Sequence, residues 1–251
     1  MDEAYGQFAA LYDRLMYDVD YDGWTAYLTG LLRESGIRPE DRASVLDCAC
    51  GTGSVSLRLA KLGYAVTASD LSGDMLAVAQ DKMRKMGLRI PFVQQDMREL
   101  KAHRKADAVV CCCDGVNYLT SPGDLLRFFR SAHAALREGG VLLFDVSSAY
   151  KLEHVLGSNT FGDDLEDCTY LWQNRFSPSS RLLTMDLIFF VRRDDGTYSR
   201  FDETHVQRAH SEEEIRLALE EAGFRNAACF EFPTGDPAGS TSQRIQWKAE
   251  R

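Results

Sequence analysis

Ser44-Val45-Leu46-Asp47-Cys48-Ala49-Cys50-Gly51-Thr52-Gly53-Ser54, continued by Val55-Ser56-Leu57-Arg58-Leu59-Ala60, is the stretch from which the fold reads outward. The short apolar run predicts a buried strand, the small-residue turn a loop, and the periodic segment a helix. That is the strand-loop-helix arrangement of a nucleotide-type site. Gly51 and Gly53 carry no Cβ, so their amides can come close to a charged group, and the helix opening near Ser54 adds the positive end of its dipole. The spacing argues against a dinucleotide. Glycines at the first, third and sixth positions of that fingerprint align here with Ala49, Gly51 and Ser54, so the third glycine is missing.

What stands instead is an acid at a strand end followed by alternating small residues, Asp47-x-Ala49-x-Gly51-x-Gly53. This closely resembles the first motif of class I S-adenosylmethionine (SAM) dependent methyltransferases, where the loop cradles the amino-acid part of the cofactor. Ala49 stands where many members carry glycine, and a small residue still meets the steric demand; Cys50 lies between. The resemblance implies an α/β fold, a doubly wound, seven-stranded Rossmann-like sheet, with SAM as cofactor.

Length and composition set the outer limits. A chain of 251 residues can bury one substantial core. With 45% hydrophobic and 27% charged residues it has the make-up of a soluble globular protein. No apolar stretch approaches the roughly 20 residues that span a bilayer. The acidic start, Met1-Asp2-Glu3, is unlike the basic start of a signal peptide, which predicts a cytoplasmic protein. A net charge of −9 argues against nucleic acid or an anionic membrane as partner. The seven cysteines form no paired Cys-x-x-Cys sets, so they read as small buried hydrophobes and no metal site is expected.

Near the N-terminus, Tyr5, Phe8 and Tyr12 fall on one side of a predicted helix from Tyr5 to Met16. The segment resembles the Tyr-x-x-Phe-Ala-x-x-Tyr-Asp opening of small-molecule methyltransferases, in which it lids the site; this implies Tyr12 on the cofactor and Tyr5 on the substrate. Trp24, in a helix predicted from Tyr21 to Ser35, is a second aromatic candidate. Beyond the glycine loop, Ala65 to Asp70 predicts a second buried strand ending in an acid. Asp70 lies 17 residues past Gly53, near the roughly 20-residue offset at which a carboxylate meets ribose hydroxyls. A carboxylate accepts two hydroxyl hydrogen bonds, and a vicinal diol offers two donors. Leu71 follows it, and Ser72 is the better cap for the helix to Met86. Met75 is core filler or a flank for the adenine ring, and the resemblance favours the second. A third strand is predicted from Ile90 to Met97; relatives use an acid and the next backbone amide on adenine, which corresponds to Asp96 and Met97. Ala106 to Cys113 predicts a fourth strand, and the loop Asp114 to Leu119 leaves its carboxyl end, where ligands bind in open α/β sheets. A helix from Asp124 to Arg137 and a strand from Val141 to Val146 complete the alternation.

From Ser147 to Ala209 the period becomes two. Tyr170 to Phe176, the alternating Leu183, Met185, Leu187, Phe189 and Val191, and Tyr198 to Arg208 predict an antiparallel insertion, with Asp195-Gly196 as a hairpin turn. A helix from Ser211 to Ala222 and strands Arg225 to Glu231 and Arg244 to Lys248 match the closing elements of class I methyltransferases. The expected organisation is an N-terminal helical lid (1–40), a SAM-binding domain (41–146 and 211–251) and a substrate-covering insertion (147–210).

The resemblance implies in-line displacement from an activated sulfonium, where alignment alone contributes roughly 7–11 kcal/mol. A base is needed only for a protonated nucleophile; Tyr118, His205 or Asp114 would orient it or take its proton. Tyr118 and His205 are the catalytic candidates. Cys113 joins the cofactor set, and Asp114, Asn117, Trp172 and Arg208 join Tyr5 as substrate candidates. The loop resembles that of sugar N-methyltransferases, in which a histidine aligns with Tyr118. Neither Asn-Pro-Pro-Tyr, Asp-Pro-Pro-Tyr nor a Pro-Cys nucleophile occurs. The expected acceptor is therefore a nitrogen or oxygen of a small metabolite, on a monomer or homodimer. RNA or protein methylation and a non-catalytic SAM-binding module are the alternatives.

Overall fold

In the computed structural model, which describes residues 8–251, strands and helices follow one another as the periodicities dictate. Strands β1 (Ser44–Cys48), β2 (Ala65–Asp70), β3 (Phe92–Gln94), β4 (Ala106–Cys111), β5 (Leu136–Ser147), β10 (Arg225–Glu231) and β11 (Arg244–Glu250) form a seven-stranded sheet. Its order is β10-β11-β5-β4-β1-β2-β3. The pairs among β1 to β5 are parallel, and β11 is antiparallel to both β5 and β10. Parallel strands buried on both faces should be apolar at every position, and here successive residues feed two different cores. Leu46, Val109, Leu142 and Phe144 pack with helices α5 (Asp124–Ala135) and α6 (Glu212–Glu221). Val45, Val110, Val141 and Leu143 pack with α2 (Tyr21–Glu34) and α3 (Ser54–Leu62). Each fully buried side chain of this size contributes about 1.5–3 kcal/mol relative to exposure.

The helix starts are set by side-chain caps. Asp20 accepts from the Gly23 amide at 2.8 Å, and Ser72 accepts from Met75 at 3.2 Å to open α4 (Gly73–Lys85). The element boundaries shift from expectation most at β3 and at the passage from α5 to β5. β3 is confined to Phe92–Gln94, because the Asp96 carboxylate takes the Arg98 amide at 2.8 Å and turns the chain into a short 3-10 helix. α5 stops at Ala135 and β5 begins at Leu136, so Gly139 and Gly140 lie inside the strand rather than between elements. The register against β4 shifts there, and a Cβ on Gly140 would fall 2.9 Å from the Asp107 carbonyl. A π-helical turn, Lys151–Leu156, follows β5.

The insertion is a separate four-stranded antiparallel sheet of β6 (Thr160–Leu165), β7 (Cys168–Ser177), β8 (Leu182–Arg192) and β9 (Tyr198–Arg208), in that order. Helix α1 (Ala9–Leu15) rests on it, with Phe8 stacked on Phe189 at 5.1 Å. The predicted lid is thus split: α2 is part of the sheet's own core, whereas α1 docks on the insertion.

Candidate active site

The carboxyl ends of β1, β2 and β4 open into a cleft of about 1040 Å³. At the end of β1 the backbone runs through positive φ at Ala49 (54°), Gly51 (54°) and Gly53 (75°). Gly53 meets α4 so closely that a Cβ there would lie 3.1 Å from the Met83 methyl. Asp70, from the end of β2, braces this loop. One carboxylate oxygen accepts from the Gly51 amide and the other from the Ser72 amide, both at 2.8 Å. Burial pushes the Asp70 carboxyl above the usual range, against the pull of those amides. Asp47 is 1% exposed and accepts from the Ser56 hydroxyl. Burial raises it to about 7, with Ser56 opposing. Asp96 is held by Arg98, whose Nε lies 2.9 and 3.0 Å from its two oxygens. That hydrogen bonding keeps Asp96 below its ordinary value. The Arg98 guanidinium also reaches Asp124 at 3.2 Å.

On the far side of the cleft, two consecutive non-glycine residues after β4, Cys113 (φ 59°) and Asp114 (φ 55°), adopt the left-handed conformation, which costs energy outside glycine. Asp145 compensates by accepting from both of their amides, at 2.8 and 3.0 Å. Fully buried itself, Asp145 is pushed upward by burial and drawn back by Arg244. Arg244 pairs with Asp145 and reaches Asp114 at 2.9 Å, while the Gln207 amide donates to the other Asp114 oxygen at 2.6 Å. Asn117, wholly buried, donates to the carbonyls of Ser147 and Arg208 and so ties this loop to β5 and β9. The loop then delivers Tyr118 to the cleft wall, its hydroxyl 3.3 Å from His205 Nδ1. His205 Nε2 lies 3.2 Å from Glu203, whose second oxygen accepts from the Phe8 amide at 3.2 Å.

Helix α1 is fastened across the glycine loop as well. Asp13 accepts from the Thr52 hydroxyl at 2.6 Å and pairs with Lys82 at 2.7 Å. Lys82 in turn donates to Thr52 and Ser54 at 3.2 and 3.1 Å.

Comparison with known proteins decides the family. A methyltransferase domain model matches residues 45–140. The protein YqeM of Bacillus subtilis (strain 168) is 41% identical over 98% of this chain and 97% of its own. The crystal structure of a SAM-dependent methyltransferase from Clostridium acetobutylicum ATCC 824 is 35% identical, covers 98% of both chains and superposes with a TM-score of 0.88. The chain belongs to the SAM-dependent methyltransferases. A further relative, the dTDP-3-amino-3,6-dideoxy-alpha-D-glucopyranose N,N-dimethyltransferase of Streptomyces fradiae, is 26% identical over 93% of this chain and 88% of its own.

The residues at the cleft fit SAM. The loop passes through left-handed backbone at Ala49, Gly51 and Gly53 and is braced by Asp70, and the Asp47, Asp70 and Asp96 carboxylates line the cleft as acceptors suited to hydroxyl or ammonium donors. Of the residues singled out from sequence, Tyr12, Asp47, Ala49, Cys50, Gly51, Asp70, Leu71, Met75, Asp96, Met97, Cys113 and Tyr118 line the methyltransferase's cleft together. Gly53 stands behind it, against α4. His205 is reached through Tyr118. Others do not line it. Trp24 packs at a tilt against Phe232, ring centroids 4.3 Å apart, and lies beneath the Arg244 guanidinium at 4.9 Å, so it walls the Asp145 network. Asp114 and Asn117 spend their polar atoms on the loop's own bracing. Trp172 packs on Phe161 and the Leu152 cluster, and Arg208 turns to Glu214 at 3.1 Å. Tyr5 lies outside the described residues. Sequence reading missed Arg98, Asp145, Arg244, Glu203 and the Asp13–Lys82 fastening. Glu203 carried a signal, since Glu203 and His205 share one face of a strand. Among the described residues no cluster of His, Cys, Asp and Glu could hold a metal, and no helix is long and apolar enough to cross a membrane.

Proposed function

We propose that this enzyme transfers a methyl group from SAM to a nitrogen or oxygen of a small metabolite by in-line displacement. The observation that carries the reading is the continuity of one cleft, lined at one end by the Asp47–Gly53 loop and Asp70 and at the other by Tyr118, Thr204 and Val206 of β9. SAM, when bound, supplies an activated sulfonium methyl. Asp70 is the acceptor for the ribose diol, Asp47 and the loop from Ala49 to Gly53 hold the amino-acid end, and Met75 flanks the adenine. Arg98 keeps Asp96 charged and fixed, so the lone pairs it leaves free stay in register for the adenine amino group, beside the Met97 amide. Tyr12 and Cys113 close the cofactor side, and α1, fastened by Asp13 and Lys82, excludes water.

At the acceptor end Tyr118 orients the nucleophile and passes its proton toward His205. The aminosugar N,N-dimethyltransferase from Streptomyces fradiae supports a small-molecule acceptor. The test is a methyl-acceptor screen with labelled SAM over amine and hydroxyl metabolites, alongside RNA and protein fractions. Labelling of a small molecule is expected, with kcat falling about 10²-fold in Tyr118→Phe. Label confined to RNA or protein would contradict it.

A further inference from the structure

Along β9, alternate residues share a face; His205 uses it to reach Tyr118, and Glu203 lies beside the imidazole. The imidazole is 4% exposed. Among the described residues its neighbours from other elements include Tyr118, the Phe8 ring at 5.8 Å, and Met185 across the β8 register. Tyr12, on α1, stands edge-on to Phe8. Among these described neighbours Glu203 is the acid. The Glu203 carboxylate lies 3.2 Å from Nε2 outside hydrogen-bond alignment, and its negative charge favours the imidazole hydrogen on that nitrogen, which turns the Nδ1 lone pair toward the Tyr118 hydroxyl. The Phe8 amide, donating to the other carboxylate oxygen, fixes Glu203 in that attitude.

The charge of the cleft is a second, independent observation. Among the described residues lining it the one cationic side chain is Arg98, and it is committed to Asp96 and Asp124. Residues 1–7 contribute no Lys, Arg or His. A carboxylate or phosphate beside the acceptor atom would therefore be desolvated with no cationic side chain to meet it, which is unfavourable. A cation faces the rings of Tyr12, Tyr21 and Tyr118 and a hydroxyl that can accept from it.

Granted the small-molecule transfer proposed above, we infer that Glu203 is a positioning residue that makes His205, through Tyr118, the proton acceptor for an amine that enters as its cation and carries no carboxylate or phosphate beside the acceptor nitrogen. An ammonium N–H bond breaks and its proton passes to Tyr118 Oη as the tyrosine's own proton passes to His205 Nδ1. The imidazolium is balanced by Glu203, and the nitrogen recovers the lone pair with which it attacks the methyl.

The test has two parts. Nitrogen-15 NMR of histidine-labelled enzyme, with His205→Asn to assign the signal, should find His205 protonated at Nε2 and bare at Nδ1. In Glu203→Gln that preference should be lost, since an amide can donate to Nε2. Nδ1 protonated in the wild type overturns the relay and leaves the transfer itself standing. The second part measures methylation of glucosamine, ethanolamine, glycine and glucosamine 6-phosphate from pH 7 to 9. Glucosamine or ethanolamine should be preferred over the two anionic probes. Glu203→Gln should lose about 10²-fold in kcat/KM at pH 7, and regain roughly tenfold per pH unit as the free amine becomes available. Its affinity for S-adenosylhomocysteine should match the wild type. A loss equal at every pH, or preference for glycine or the phosphate ester, overturns the inference. Methylation of no small molecule contradicts the transfer proposed above and the inference with it.

Discussion

On the cofactor side of the cleft the backbone does the holding, over short sequence distances: the Gly51 amide meets Asp70 19 residues on, and the Ser72 amide meets it two residues away. On the acceptor side distant side chains do it. Tyr118 meets His205 87 residues away, Asp114 meets Arg244 across 130, and the Phe8 amide meets Glu203 across 195. The first kind of site folds with its own strand-loop-helix unit, whereas the second exists only once the insertion, α1 and the closing hairpin have docked. A methyl donor common to a whole family suits the former, and an acceptor that varies suits the latter.

The comparison can be broken most forcibly at Arg244. In Arg244→Met the buried Asp145 loses its cationic partner while still bracing the strained Cys113-Asp114 turn, and removal of one partner from such a pair costs about 3–5 kcal/mol. Urea denaturation should register that loss. A loss below about 1 kcal/mol would mean that long-range pairing does not hold the acceptor side.

Asp47 tests the cofactor side. Its carboxyl titrates near 7 in the folded chain, raised by burial from an unfolded value of about 3.9. The folded state therefore binds the extra proton between roughly pH 4 and 7, and stability falls as pH rises through that window, by on the order of a few kcal/mol in all. Asp47→Asn should not show this fall, leaving the variant more stable than the wild type above pH 7 and with weaker SAM affinity. A wild-type minus variant stability difference that does not change with pH would remove Asp47 as a buried, function-bearing acid.

The fold was legible because β1, β2 and β4 are short, largely apolar runs with an acid at or just past their ends, and those signals are local. The cofactor loop was legible for the same reason. The place of Trp24 was not legible because an aromatic in an amphipathic helix gives no sign of which cavity it faces, and its partners Phe232 and Arg244 lie some two hundred residues onward. Asp114 and Asn117 differ: their loop does border the cleft, but their polar atoms bind β5, β9 and Arg244, partners that no local pattern announces. The stop of β3 was hidden in the Asp96 side chain, which competes with the strand for the Arg98 amide.

A smaller effect sharpens the role of α1. Lys82 joins Asp13 to Thr52 and Ser54 with its side chain 19% exposed, so Lys82→Met should cost no more than about 1 kcal/mol of global stability. Hydrogen exchange should nevertheless quicken in α1 and leave α2, which belongs to the sheet's core, unchanged. Equal quickening in both helices would join α1 to the core instead.

The most direct measurement is calorimetric titration with S-adenosylhomocysteine of the wild type, Asp70→Ala and Tyr118→Phe. Binding to the wild type should persist in Tyr118→Phe, which loses only acceptor chemistry. It should weaken roughly 10²-fold in Asp70→Ala, which gives up charge-assisted hydrogen bonds worth about 1.5–3 kcal/mol each. Unchanged affinity in Asp70→Ala, or an equal loss in both variants, would contradict a cleft divided between a backbone-built cofactor side and a side-chain-built acceptor side.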